Sequence, residues 1–276
     1  KQLSWTVQQL NIGYYGWRAG SLSSLQFKDG STVRISPGLN AGSAAVQYLF
    51  SRWYDQLEWA GALFGPENMP DLMNNMFGDF WIRSQAVEPL YPTDLQQPEF
   101  QLPFQYGRVW SYTGGPHSAW GEDGATAAID FGPPSTVSGC AKSNEWVTAV
   151  APGVIARTGE GVVILDLDSD GDEQTGWNIL YLHIETRDKI AAGTVVEAGD
   201  KIGHPSCEGG ISTGTHLHIA RKFNGEWILA DGPLSFKMSG YVAKNGDAPY
   251  QGKLVNGDHK VIADPLSSNK SNIQIP

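Results

Sequence analysis

Five of the six histidines in this 276-residue chain fall between His117 and His218, and two of them are separated by a single leucine in GGISTGTHLHIARKF. A strand sends alternate residues to one face, so His216 and His218 point the same way while Leu217 and Ile219 point the other. Two imidazoles side by side are costly to bury unless something uses their nitrogens, and zinc is a common user. Further donors lie upstream. In GGPHSAWGEDGATAAIDFG, His117 precedes Asp130 by thirteen residues. The alternation of AAIDF turns Ile129 and Phe131 toward a core and Asp130 away from it, where it either serves chemistry or caps a turn. In WNILYLHIE, His183 shares a face with Tyr181, Ile179 and Trp177. That setting suits a packed core histidine as well as a catalytic one, and Tyr181 is placed either to hold it or to reach a substrate.

A second set of donors is oxygen-only. LDLDSDGDEQTGW spaces Asp166, Asp168 and Asp170 ahead of Gly171, as at the start of a calcium loop, where alternating carboxylates converge on a hard cation. The twelfth position is Trp177 rather than a bidentate glutamate, which excludes an EF-hand. The competing reading is a solvated acidic hairpin tip. His204, before Pro205, is a candidate for a substrate groove, and His259 in NGDHK reads as a surface turn residue. Cys140 and Cys207 are the only cysteines. An even pair without CxxC spacing fits one disulfide better than a thiolate metal site, with two buried free thiols as the alternative.

The elements that position these groups follow from pattern. SAAVQYLFSRWYDQLEWAGALFG has apolar residues at Val46, Leu49, Phe50, Trp53, Leu57 and Ala60, which predicts one long helix stopped by Gly65-Pro66. Before it, SLQFKDGSTVRIS reads as a hairpin turning at Asp29-Gly30. Pro89, Pro92, Pro98 and Pro103 punctuate a non-periodic segment that reads as a linker or extended wrap. Beyond about residue 105 the text becomes short β runs with Gly, Asp, Asn or Pro turns. The expected fold class is α+β, mainly antiparallel β. An N-terminal region of unknown role (1–104) precedes an open-grooved β-sheet domain (105–276), and the C-terminal segment with Tyr241 is expected to add edge strands.

Composition narrows the function. With 41% hydrophobic and 17% charged residues the chain is globular. A net charge of -10 argues against nucleic acid, and no apolar run is long enough for a membrane span. No signal peptide starts at Lys1, so any export signal lies outside these residues.

His117 and Asp130, then YLHI, then GDKIGHPSCEGGISTGTHLHI resemble, in order and wording, the lysostaphin and staphylolysin type zinc metalloendopeptidases, also called the β-lytic or glycyl-glycine endopeptidases. The resemblance covers roughly residues 108 to 230. It implies that zinc is held by His117, Asp130 and His218, with His183 and His216 as non-ligand catalytic histidines. The long His117–Asp130 spacing is similar to the staphylolysin branch. The implied activity is hydrolysis of Gly- or Ala-rich cross-links in bacterial peptidoglycan by a secreted or cell-surface monomer. Tyr181, His204 and Tyr241 are candidate substrate contacts. The alternatives are a non-catalytic wall-binding or regulatory protein and a zinc peptidase acting on glycine-rich proteins.

Overall fold

The computed structural model describes residues 1–87, 91–135 and 137–275, so Pro89 lies outside the described residues. Two compact units emerge: Lys1–Leu90 with Trp120–Ala125, and Tyr91–Ala119 with Thr126–Pro276.

The first unit is helical around a small hairpin. Its elements are α1 (Gln2–Arg18), β1 (Ser24–Gln26), β2 (Thr32–Arg34), α2 (Ala41–Ser51), α3 (Gln56–Phe64), α4 (Met69–Phe77) and α5 (Phe80–Val87). The hairpin turns at Asp29-Gly30, where Asp29 Oδ1 accepts from the Ser31 N–H at 2.9 Å. The single long helix expected over Ser43–Gly65 is two helices. Asp55 caps the second, accepting from Glu58 N while Glu58 returns the bond to Asp55 N, a reciprocal box that starts a new helix where periodicity alone predicts continuation. Consequently Leu57, assigned to the apolar face, is 83% exposed, whereas Trp59 and Leu63 join Leu25, Phe27, Ile35 and Ala44 in the core. Helix α1 was not evident in the sequence because its apolar residues do not gather on one face. Gly13 lets α1 approach α2: a Cβ there would lie 2.7 Å from Ala45 Cα.

The second unit comprises β3 (Trp110–Ser118), β4 (Thr126–Gly132), β5 (Val147–Thr148), β6 (Gly153–Gly159), β7 (Gly161–Asp166), β8 (Trp177–Ile184), β9 (Val195–Val196), β10 (Lys201–Gly203), β11 (Leu217–Phe223), β12 (Glu226–Trp227), β13 (Lys237–Met238), β14 (Tyr241–Asn245), β15 (Gly252–Asn256), β16 (His259–Ile262) and β17 (Asn272–Ile273). The main sheet runs β17-β3-β4-β11-β8-β7-β6-β9, with β12 on β11, and all its pairings among the described residues are antiparallel. The C-terminal segment does add strands: β13–β16 form a sheet of their own, and β17 joins the main one at β3.

Alternation decides which face is which. Ile129, Phe131, Val163, Leu165, Ile179, Tyr181, Leu217 and Ile219 point into one large core. The segment before the strands is not a free linker: Phe100, Leu102 and Phe104 are buried in the same core, so residues 91–104, assigned from sequence to the N-terminal region, pack with the β unit.

Candidate metal centre

The opposite face of the main sheet gathers the histidines. Asp130 on β4 sits directly across from His218 on β11, as alternation requires. His117 arrives from β3, which makes a hairpin with β4; the thirteen-residue spacing is the length of that hairpin, with His117 paired to Ala128. Register shifts around Gly114 and His117 turn the His117 ring into the site.

The resulting geometry is tight and buried. His117 Nε2 lies 3.0 Å from His218 Nδ1 and 3.3 Å from Asp130 Oδ1, and His218 Nδ1 lies 3.2 Å from the same oxygen. All three residues are under 7% exposed. Backbone carbonyls fix the ring tautomers. The Nδ1–H of His117 donates to Gly115 O at 2.8 Å and the Nε2–H of His218 donates to Ala119 O at 3.1 Å, because a carbonyl can only accept. In the neutral rings the nitrogens that face each other and Asp130 therefore carry lone pairs. Asp130 Oδ1 has no hydrogen-bond partner. Three acceptors thus converge without a donor between them.

A cation would resolve that conflict, and the donor set fits one. A tetrahedral ion bonded at about 2.0–2.1 Å separates its ligand atoms by roughly 3.3 Å, close to the three distances found. Two imidazoles and a carboxylate leave one of four positions for water or substrate, whereas structural sites are closed by four protein ligands. The electrostatics are consistent. Burial disfavours charge on Asp130, but His117, His218 and His216 outweigh it and hold the carboxyl well below its usual range. Burial opposes protonation of His117, yet the Asp130 carboxylate lifts it above the ordinary histidine value; burial dominates at His218, which is lowered.

His216 and His183 stand beside this cluster. His216 immediately precedes β11 and is bridged to Ser206; its Nδ1 is hydrogen-bonded to Gly214 O at 2.8 Å, and its Nε2 lies 3.8 Å from Asp130 Oδ1. The His183 ring packs on it with centroids 4.4 Å apart. Sequence alternation assigned His183 to the face of Tyr181, and this is wrong: His183 has φ of +66° at a register shift between β7 and β8, and this bulge turns its ring to the site face. Its Nδ1–H donates to Glu208 O at 2.8 Å, and burial together with His216 lowers it to a pKa of about 4. All four histidines therefore direct their protons outward to backbone carbonyls.

The disulfide between Cys140 and Cys207, with Cα atoms 5.7 Å apart, braces this wall, and Thr215 N donates to Gly139 O at 3.0 Å beside it. A cavity of about 360 Å³ opens along it, lined by Lys142, Glu185, Pro205, Glu208 and Thr215.

The three expected substrate contacts are all buried. Tyr181 is fully buried in the core with its hydroxyl accepting from Val150 N, because it follows regular alternation where His183 does not. His204 donates through Nδ1 to Glu145 O and packs on Trp146, which removes it from any groove. Tyr241 is 7% exposed and its hydroxyl pairs with His259 Nδ1, so its side chain reaches across β15 to β16 within the second sheet. Sequence reading missed Tyr250. Its ring stacks on His117 at 4.0 Å, and its backbone, at φ of +67°, accepts from Gly115 N and donates to Pro116 O. Nothing in the spacing of DAPYQG connects it to a histidine over 130 residues earlier. The acidic tip does assemble: one oxygen from each of Asp166, Asp168 and Asp170 lies within 4.8 Å of the others.

Two family models match this chain: the N-terminal domain of LasA over residues 1–90 and peptidase family M23 over residues 136–229. Protease LasA of Pseudomonas aeruginosa is 26% identical over 249 residues, covering 82% of this chain and 54% of the relative. The chain thus spans about half the length of that relative. The β-lytic metalloendopeptidase of Lysobacter enzymogenes is 26% identical over 143 residues, 51% of this chain and 76% of the relative. Among solved structures, the M23 metalloprotease pseudoalterin from the deep sea aligns with a TM-score of 0.49 at 23% identity, covering 60% of this chain and 96% of its own.

Proposed function

We propose that the chain is a member of peptidase family M23, whose model matches residues 136–229, and that it is a secreted zinc metalloendopeptidase hydrolysing peptide cross-links of bacterial peptidoglycan. The observation that carries the chemistry is the convergence of two imidazole nitrogens and a carboxylate oxygen at 3.0–3.3 Å, with lone pairs facing one another in the neutral rings.

His117, Asp130 and His218 are the zinc ligands in this reading. When bound, the metal lowers the pKa of a water toward roughly 7 and polarises the scissile carbonyl. The remaining work falls to the chain. His183 is neutral at neutral pH and presents its Nε2 lone pair, the Nδ1–H being committed to Glu208 O, so it is set to take a proton from the attacking water. His216 has the same tautomer and an adjoining ring, so the pair supplies one nitrogen to accept a proton and a second to steady the developing oxyanion once protonated. Tyr250 fixes the plane of His117 by stacking. The peptidoglycan target rests on the family resemblance, and the disulfide suits an oxidising, extracellular setting.

The test is hydrolysis of purified peptidoglycan and of pentaglycine, before and after chelation and with zinc restored. New amino termini are expected only with metal. If the zinc-loaded protein releases none from either substrate, the wall reading fails, and a glycine-rich protein run in parallel separates that outcome from loss of peptidase activity altogether.

A further inference from the structure

The tip joining β7 to β8 takes no part in the reaction proposed above. Its carboxylates nevertheless converge. Asp166 is fully buried and anchors the turn, accepting from Asp168 N at 3.2 Å through Oδ1 and from Gly171 N at 2.8 Å through Oδ2. Those bonds account for an acidic turn without any ion. Asn178 is what they do not account for. It is 1% exposed and lies directly across from Asp166 in the β7–β8 register, and cross-strand partners share a face of the sheet. Its Nδ2 donates to Thr175 O at 2.7 Å, which ties the amide to the tip, and the Thr175 hydroxyl in turn donates to Asp170 Oδ2. Its Oδ1 is buried with no hydrogen-bond partner. A buried amide oxygen with no donor, on the residue paired with Asp166, is costly unless a cation receives it.

The neighbouring cations are already engaged. Arg157 and Lys222 both pair with Glu173, and none of Asp166, Asp168 and Asp170 forms an ion pair among the described residues. We propose that this tip is a calcium site, with the carboxylates of Asp166, Asp168 and Asp170 and the amide oxygen of Asn178 as ligands. Carboxylate and amide oxygens select a hard cation; zinc prefers nitrogen and sulfur, and magnesium demands a stricter octahedron. The strand residue Asn178 closes the site in place of the glutamate that ends an EF-hand loop. The ion would clamp the tip to β8, the strand that carries His183.

The experiment titrates the zinc-loaded 276-residue chain with terbium and then with calcium chloride, exciting through Trp177, which adjoins Asn178 in sequence. Saturable terbium emission is expected, displaced by calcium with a Kd of about 0.1–1 mM, as for sites with few charged ligands in extracellular modules. Calcium at about 10 mM should also raise the melting temperature by roughly 5 °C. Asp170 is exposed, so Asp170→Asn folds normally and should weaken calcium at least tenfold; Asn178→Ala should do the same, and Asn178→Asp should retain binding. The proposal is overturned if calcium neither displaces terbium nor moves the melting curve, or if Asp170→Asn binds calcium as tightly as the parent. Peptide hydrolysis is not the readout, so failure here leaves the peptidase reading untouched.

Discussion

Adding one methyl group at Gly114 should weaken zinc binding at the proposed centre. A Cβ built on Gly114 lies 2.4 Å from Asp130 Oδ2 and 3.0 Å from both Asp130 Cβ and Cγ. The first contact is about 1 Å short of an ordinary van der Waals separation, and the carboxylate has nowhere to retreat. Asp130 is buried on a strand paired with β3 on one side and β11 on the other, so its backbone cannot follow. Overpacking of this kind costs about 1–3 kcal/mol. The larger effect is on the site, because metal–ligand distances hold to about ±0.2 Å and a displacement of about 1 Å at a catalytic group costs on the order of 100-fold in rate. Gly114→Ala is therefore expected to fold, to bind zinc at least about tenfold more weakly, and to lose about 100-fold or more in turnover. Gly159→Ala is the control, since its Cβ meets Val162 at an ordinary 3.8 Å. Zinc per chain after dialysis against a metal buffer, read by mass spectrometry beside a melting curve and a hydrolysis assay, makes the comparison. If Gly114→Ala retains stoichiometric zinc at wild-type affinity and full turnover, Asp130 is not a ligand held in this position.

The histidines should separate into two classes: His117→Ala and His218→Ala lose zinc, while His183→Ala and His216→Ala retain it and lose about 100-fold or more in turnover, so a zinc-free His183→Ala would overturn the assignment. Replacing Cys140 and Cys207 by serine opens a loop with a sequence separation of 67, worth about 4 kcal/mol in the chain-entropy model and on the order of 10 °C in melting temperature; an unchanged calorimetric scan would contradict it. Arg221 is fully buried and donates to Gln97 Oε1, Leu229 O and Leu234 O, so Arg221→Ala removes three hydrogen bonds and empties a buried side-chain volume, which should cost about 3–5 kcal/mol in denaturant unfolding, with a loss under about 1 kcal/mol refuting the account.

Local pattern reached far into this protein. The period of two in AAIDF and THLHIA was enough to put Asp130 and His218 on one face and Ile129, Phe131, Leu217 and Ile219 in the core, because a strand's alternation is set by its own backbone. The hairpin at Asp29-Gly30 and the pairing of Cys140 with Cys207 were legible for similar reasons, one from turn chemistry and the other from having no other partner available. Where a local device interrupts the period, the pattern misleads. The Asp55–Glu58 box divides a helix, and the bulge at His183 reverses a side chain, so that Tyr181 enters the core and His183 the site. Other features have no local signature at all. Tyr250 reaches His117 from the turn between β14 and β15, Gly114 is required by an oxygen sixteen residues away, and the unpartnered Oδ1 of Asn178 exists only once β8 lies against β7. The sequence by itself determined which residue types could carry the chemistry and, where the period of two is unbroken, the strand faces they occupy. Tertiary structure alone decided which of them meet, because the 3.0–3.3 Å spacing of His117, Asp130 and His218 depends on register between strands, and register is a property of pairs of strands rather than of either one.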